Sequence, residues 1–397
     1  MLNTPLAPWP SFTDEEVEAA GAVLRSNRVN YWTGEQCGHF EREFAAWSGT
    51  SHAIALANGT VALDLALRSL GIGRGDEVIV TPRTFIASVS CVANAGATPV
   101  FADVDRDSGN LSSQTIAEAL TPRTRAVIVV HLGGWPADMD PIMALAERHG
   151  LAVIEDCAQA HGARYKGRSV GAIGHLAAWS FCQDKIMTTG GEGGMVTTSD
   201  PDAWARMWAF KDHGKSWDAM FTREHAPGFR WVHESFGTNW RMMEFQAAIG
   251  RIQLQRMDEW TAARSANAAV LAAALAPFAG PGGAIRIPRL DGADGSVHAH
   301  YKFYFHVEPQ ALKPGWSRDR IVAEIAARGI PCFGGSCSEV YRERAFDGRG
   351  WRPPAPLPVA RELGQTSVMM LIHPTLTAGD IDRSAATAAK VVAAAAR

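Results

Sequence analysis

Residues 124–160 read TRAVIVVHLGGWPADMDPIMALAERHGLAVIEDCAQA, and this stretch decides the fold. Arg125 to Val130 reads as a strand, apolar without a break from Ala126. Asp140-Pro141 then opens a helix, because the carboxylate can cap it and proline fits a first turn. That helix runs to Gly150, and Leu151 to Glu155 is the next strand. Two β-branched runs without polar alternation, joined by a helix, predict parallel strands covered on both faces. The pattern extends outward. Upstream, Glu77-Val-Ile-Val80 is a strand ended by Pro82, Arg83 to Ala95 a helix stopped by Gly96, and Thr98 to Val104 a strand. Downstream, Gly194 to Thr198 is another strand. In such a sheet ligands bind beyond the carboxyl ends of the strands.

The pattern changes near residue 260. Thr261 to Pro277 is Ala-rich and helical, and Ala279-Gly-Pro-Gly-Gly283 is a cluster of chain breakers. Val297 to Val307 alternates with period two. Val297, Ala299, Tyr301, Phe303 and Phe305 share one face; His298, His300, Lys302, Tyr304 and His306 share the other. That predicts a half-covered strand of an antiparallel sheet. A helix from about Arg318 to Arg328 and an Ala-rich closing helix complete a smaller α+β unit. The reading is therefore a large domain over residues 1–265, with an N-terminal arm, and a small domain over 266–397.

Composition bounds the partners. The 397 residues carry 38 Lys plus Arg against 41 Asp plus Glu, a net charge of −3, with 47% hydrophobic residues. That chain buries a core and is not disordered. Without a basic excess, nucleic acid and anionic membranes are not expected partners. No apolar stretch is long enough to span a bilayer. The opening MLNTPLAPWPSFTDEE lacks the basic and apolar regions of a secretory signal. The six cysteines are scattered with no C-x-x-C pair, as in reduced, mostly buried thiols of a cytoplasmic protein without a metal site.

Three places carry chemistry. Asn58-Gly59-Thr60 precedes the helical VALDLALRSLG, so Gly59 and Thr60 offer free N–H groups at a helix N-terminus, which suits a phosphate. The same tripeptide is also an ordinary helix-start turn. Asp156 ends the strand LAVIE at the edge where ligands bind; buried there it needs a partner, either a metal, a histidine or a protonated ring nitrogen. Gln159 and His161 lie close by. Lys185 follows the apolar AAWSF and precedes the glycine-rich TTGGEGG, a setting that suits a Schiff-base lysine or one that snorkels to the surface. Together these are three poles of a pyridoxal phosphate site: amides for the phosphate, a carboxylate for the ring nitrogen, an amine for the aldehyde. Phe85, just past Val80-Thr81-Pro82, is placed to cover the ring face.

The ordered motifs NGT…AL, GxGDEVIVxPxTF, PVFxDVD, VHLxGxPxDM, IEDxAQAHGAxYKGxxxG, SFxxxK, TGGEGGM, KDHG and GxNxRM resemble the DegT/DnrJ/EryC1/StrS family of nucleotide-sugar aminotransferases. The resemblance runs from about Phe12 to Leu254 and continues more weakly to the end. It implies fold type I, the aspartate aminotransferase-like fold, and a homodimer with shared active sites. It implies that Lys185 bears the cofactor, Asp156 meets the ring nitrogen, Gln159 lies near the ring hydroxyl and Phe85 stacks on the ring. It further implies that Gly59, Thr60 and Ser180 bind the phosphate and that Asn239 reaches the phosphate of the other subunit. L-Glutamate is the implied amino donor and a nucleotide-linked keto-sugar the acceptor.

His131, at another strand end, and Lys215, Arg230 and Arg241 are candidate substrate contacts. The Trp-rich segment from Lys211 to Trp240 fits either a nucleotide base and diphosphate or a dimer interface. Pro331 to Tyr341 departs from the family's H-Y-x-P-x-H-like segment. Alternatives are a cyclic ketone as acceptor, a sugar dehydratase, which the presence of Lys185 disfavours, and a DNA-binding regulator, which the charge disfavours.

Overall fold

The computed structural model describes residues 6–397, so the first five residues of the N-terminal arm lie outside it. The large sheet has seven strands: β1 (His52–Leu56), β2 (Glu77–Val80), β3 (Thr98–Phe101), β4 (Thr124–Val130), β5 (Ala152–Asp156), β6 (Leu176–Ser180) and β7 (Gly194–Thr198). Their order is β1-β7-β6-β5-β4-β2-β3. Neighbours pair in parallel except at β7, which is antiparallel to both β1 and β6. The central strands are apolar on both faces, and Val127 and Ile128 of β4 pack into two different cores. Helices therefore cover the sheet on both sides, as the unalternated strands require.

Several boundaries differ from the sequence reading. The helix expected from Asp140 runs Met139–His149. Asp140 is drawn off by Lys166 Nζ and Arg168 Nη2, each at 2.7 Å. The helix expected from Arg83 starts at Ala87. Residues before it form a polar turn in which the Arg83 N–H donates to Thr81 Oγ1 and the hydroxyls of Thr84 and Ser88 bond at 2.8 Å. β3 stops at Phe101; beyond it Asp103 accepts the N–H groups of Val359 and Ala360 and starts the helix Pro358–Thr366.

The small sheet holds β8 (Ile285–Arg286), β9 (Phe303–Val307), β10 (Cys332–Phe333) and β11 (Ser367–Met370), all antiparallel in the order β8-β9-β11-β10. Only the second half of the alternating run is thus in this sheet. In the first half, the Ala299 and Tyr301 N–H groups donate to the carbonyls of Gly134 and Gly133, and Val297 bridges to Arg164. Ala299 and Tyr301 join the core of the large sheet, whereas Phe303 and Phe305 join that of the small one. The helix Met257–Leu275 crosses the same divide: Met257 packs with the large core, Ala268, Leu271 and Leu275 with the small. The change of core falls inside this helix and not at the glycine cluster 279–283. None of the described helices is long and apolar enough to cross a membrane. All six cysteines are free, four of them buried.

Candidate active site

The site forms at the carboxyl ends of β5 and β6. Asp156 is the last residue of β5, paired with Val130 on one side and Ala178 on the other. It is 5% exposed. Its Oδ2 accepts from Ser88 Oγ at 2.7 Å and its Oδ1 from the Ala158 N–H at 3.1 Å. Among the described residues no cation pairs with it. A carboxylate buried among neutral donors alone lacks a counter-charge. A protonated ring nitrogen supplies one, so the residues present fit a pyridine cofactor. Ser88 was missed by motif reading, since a serine inside an apolar helix carries no signal of its own.

The helix Gly59–Ser69 points its N-terminus at the same edge. Asn58 caps it, its side chain accepting from the Val61 N–H at 3.0 Å. That leaves the Gly59 and Thr60 amides, which have no intrahelical acceptor, for an anion. Close approach is possible because two residues lack a Cβ. A Cβ on Gly59 would stand 2.6 Å from that of Ser180, and one on Gly194 would stand 2.4 Å from the Asn58 carbonyl. Ser180 ends β6, and its side chain stands against Gly59 at the same helix start.

Lys185 follows in the bend after β6. Its N–H donates to the Cys182 carbonyl at 3.0 Å and its carbonyl accepts from Trp9 Nε1 at 2.8 Å. The side chain is half-buried, and Nζ lies 5.3 Å from the centre of the Tyr301 ring without an ion-pair partner among the described residues. The Tyr301 hydroxyl donates to Asp184 Oδ2 at 2.6 Å. Burial pushes the Asp184 carboxyl up, but Lys185, this hydroxyl and Lys302 more than offset it and hold the carboxyl below its usual range. Gln159 accepts from the Gly133 N–H at 2.8 Å, and Phe85 is 68% exposed on the turn that leads to Ser88. His161 is fully buried against Trp179 and Phe181, and neither ring nitrogen has a partner. Burial, with Lys185 and Arg264 nearby, drives its pKa down to about 3, so the ring is neutral.

Three candidate substrate contacts are engaged with other residues of the chain. His131 is an interior residue: Nε2 meets Glu155 Oε2 at 2.9 Å and Nδ1 accepts from the Ala137 N–H at 3.0 Å. Lys215 and Arg241 both bind Asp212 Oδ1, at 3.2 and 2.6 Å, and remain partly exposed. Arg230 stands exposed between Phe229 and Trp231. Asn239 is exposed, with its backbone bridged to Asp212.

Fold and site together define a pyridoxal-phosphate enzyme of fold type I. Residues 10–388 match the model of the DegT/DnrJ/EryC1/StrS aminotransferase family, and the chain belongs to that family. It is 40% identical over 370 residues to the dTDP-3-amino-3,4,6-trideoxy-alpha-D-glucose transaminase of Streptomyces venezuelae, covering 93% of this chain and 90% of that one. It is 42% identical over 258 residues to the UDP-N-acetyl-3-dehydro-alpha-D-glucosamine 3-aminotransferase of Acidithiobacillus ferrooxidans, covering 65% and 66%. A solved aminotransferase from Psychrobacter cryohalolentis superposes with a TM-score of 0.95 at 60% identity, over 97% and 98% of the two chains. The protein is an aminotransferase, and its cofactor is pyridoxal 5'-phosphate.

Proposed function

We propose that this enzyme moves an amino group from L-glutamate to the keto carbon of a nucleotide-linked sugar, as a cytoplasmic homodimer whose chain divides near residue 265. The observation that carries the site is Asp156, a buried carboxylate with neutral donors and no cation. The two curated relatives, both acting on nucleotide-linked sugars, support the substrate class.

When bound, pyridoxal phosphate withdraws electrons from the donor carbon and makes its proton removable. The chain does the rest. The Gly59 and Thr60 amides and the Ser180 hydroxyl hold the phosphate. Asp156 keeps the proton on the ring nitrogen, steadied by Ser88. Gln159, its oxygen fixed by Gly133, would offer its amide nitrogen to the ring hydroxyl. Phe85 covers the ring face. Lys185 holds the cofactor and, once displaced, carries the proton at Nζ between the donor carbon and the cofactor. Asn239 reaches across to the second subunit. That interface is supported by three exposed aromatics on the same loop: Phe229, Trp231 and Phe236, at 75%, 82% and 96% exposure.

The test is optical. The purified protein should be yellow and bleach with glutamate, and Lys185→Ala should lose both the cofactor absorbance and turnover. A Lys185→Ala variant with full turnover would sink the assignment. A panel of nucleotide-linked 3-keto and 4-keto sugars then identifies the acceptor.

A further inference from the structure

Beside the candidate site, between the two sheets, is a cavity of about 60 Å³. One wall is the polar face of the alternating run: His298, His300, Lys302, Tyr304 and His306. Arg83 closes it from the turn after β2. A period-two run presents such residues to solvent when the strand is half-covered. Here the face turns inward, and Lys302 and His306 are buried.

The cavity has cations without a counter-charge. Arg83 is buried; its Nη1 donates to Ser338 Oγ and its Nε has no partner. No carboxylate lies within ion-pair distance of Arg83 or Lys302 among the described residues. The one carboxylate on the wall, Asp107, is bound by Arg286 Nη1. Burial pushes Lys302 down to about 8, with Arg264 and Lys185 adding to it against Asp184. Burial and Arg264 bring His300 down to about 4. A desolvated guanidinium without an anion is unfavourable, and a bound anion removes that penalty.

Size and position narrow the ligand. The volume is well below the ~300–1,000 Å³ of pockets that enclose whole drug-sized ligands. That admits one carboxylate and excludes a diphosphate with its nucleoside. The cavity's lining residues connect to the site residues through their chain neighbours. Leu132 lines it, and the next residue, Gly133, bonds Gln159. Thr84, next to Arg83, bonds Ser88, which bonds Asp156. Tyr301, between His300 and Lys302, faces Lys185.

We propose that this cavity is a carboxylate subsite of the active site and that Arg83 is the residue that selects for the charge. The proposal rests on the aminotransferase reading above. The carboxylate belongs either to the amino donor or to a keto-sugar oxidised to an acid at C6.

Half-reactions of the holoenzyme tell these apart. In the donor arm, bleaching is followed against glutamate concentration. In the acceptor arm, the amino-loaded enzyme is mixed with UDP-linked 3-keto-N-acetylglucosamine or with its C6 carboxylate, and cofactor absorbance returns. In Arg83→Gln the half-saturating glutamate concentration, or the ratio of the carboxylated to the neutral sugar's value, should rise about tenfold or more, as expected for a lost charged hydrogen bond. Arg83→Lys should recover part of it. A rise in the donor arm assigns the site to the amino acid, and one in the acceptor arm to an acidic sugar. Changes below twofold in both arms overturn the subsite and leave the aminotransferase standing. A wild-type holoenzyme that no amino acid bleaches overturns the parent reading and the subsite with it. If Arg83→Gln does not fold, Lys302→Met is measured in the same two arms.

Discussion

Gly59 and Ser180 approach so closely that a Cβ on the glycine would stand 2.6 Å from that of the serine. This contact sets the first turn of the helix Gly59–Ser69 against the end of β6 and makes one cradle of two chain segments. Gly59→Ala must push the helix away, because both contacting groups are held by backbone. Cofactor affinity should fall about tenfold or more, roughly 1.4 kcal/mol. Absorbance titration of the stripped protein measures it, and an unchanged affinity would refute the cradle.

Asp156→Asn keeps the shape of the side chain and removes its charge. The variant should fold and still take up the cofactor, while turnover falls about a hundredfold or more. Ser88→Ala, which takes one hydrogen bond from the same carboxylate, should fall less. Single-turnover rates compare the two. Equal activity of Asp156→Asn and wild type would remove the carboxylate from the mechanism.

His161 predicts an acid limit to stability. Its pKa is lowered from 6.5 to about 3 in the folded chain. Between those values the unfolded chain binds a proton that the folded chain refuses. Stability is therefore full above about pH 6.5 and declines as pH falls toward 3. His161→Phe fits the ring contacts with Trp179 and Phe181 and has no proton to take up. Its urea-unfolding free energy should depend less on pH over that window. Parallel curves for the two proteins would contradict the assignment.

Glu155 is the structural counterpart of its neighbour Asp156. It is fully buried and accepts from His131 and from the N–H groups of Gly171, Ile173 and Gly174 at 2.6–2.9 Å. Burial raises its pKa, but these donors overcome that and hold it below the usual carboxylate range. The stabilisation is present above the normal carboxylate pKa and is lost as pH falls through the lowered one. Glu155→Gln breaks the pair and should cost about 3 kcal/mol in equilibrium unfolding. A loss under about 1 kcal/mol would show that the pair is not structural.

Trp231 and Phe236 test the homodimer. Trp231→Glu together with Phe236→Glu should shift the mass measured by light scattering from dimer to monomer. On the proposed reading, in which Asn239 reaches the neighbouring subunit, activity should fall with it. A dimer that survives both charges would place the interface elsewhere.

Much was legible from the chain. The runs at 77–80, 125–130 and 151–155 lack polar alternation, so a parallel sheet covered on both faces follows from them alone. Its ligand edge then singles out Asp156, and helix-start chemistry singles out Gly59 and Thr60. What the chain could not show was which polar groups were already engaged. His131, Lys215 and Arg241 looked as available as Lys185. Only the folded chain brings Glu155 to the first and Asp212 to the other two. Ser88 and Arg83 carried no signal for the same reason: their hydrogen-bond partners, Asp156 and Ser338, are distant in sequence.

The alternating run 297–307 draws the line most clearly. Period two determines which side chains turn inward, because successive residues of an extended chain point to opposite sides. It does not determine what they turn into. The tertiary structure sends Ala299 and Tyr301 to one core, Phe303 and Phe305 to another, and folds the polar face over a cavity instead of leaving it to water. Local periodicity is a property of the backbone; the environment of each face is set by other segments of the chain, brought to it only by the tertiary fold.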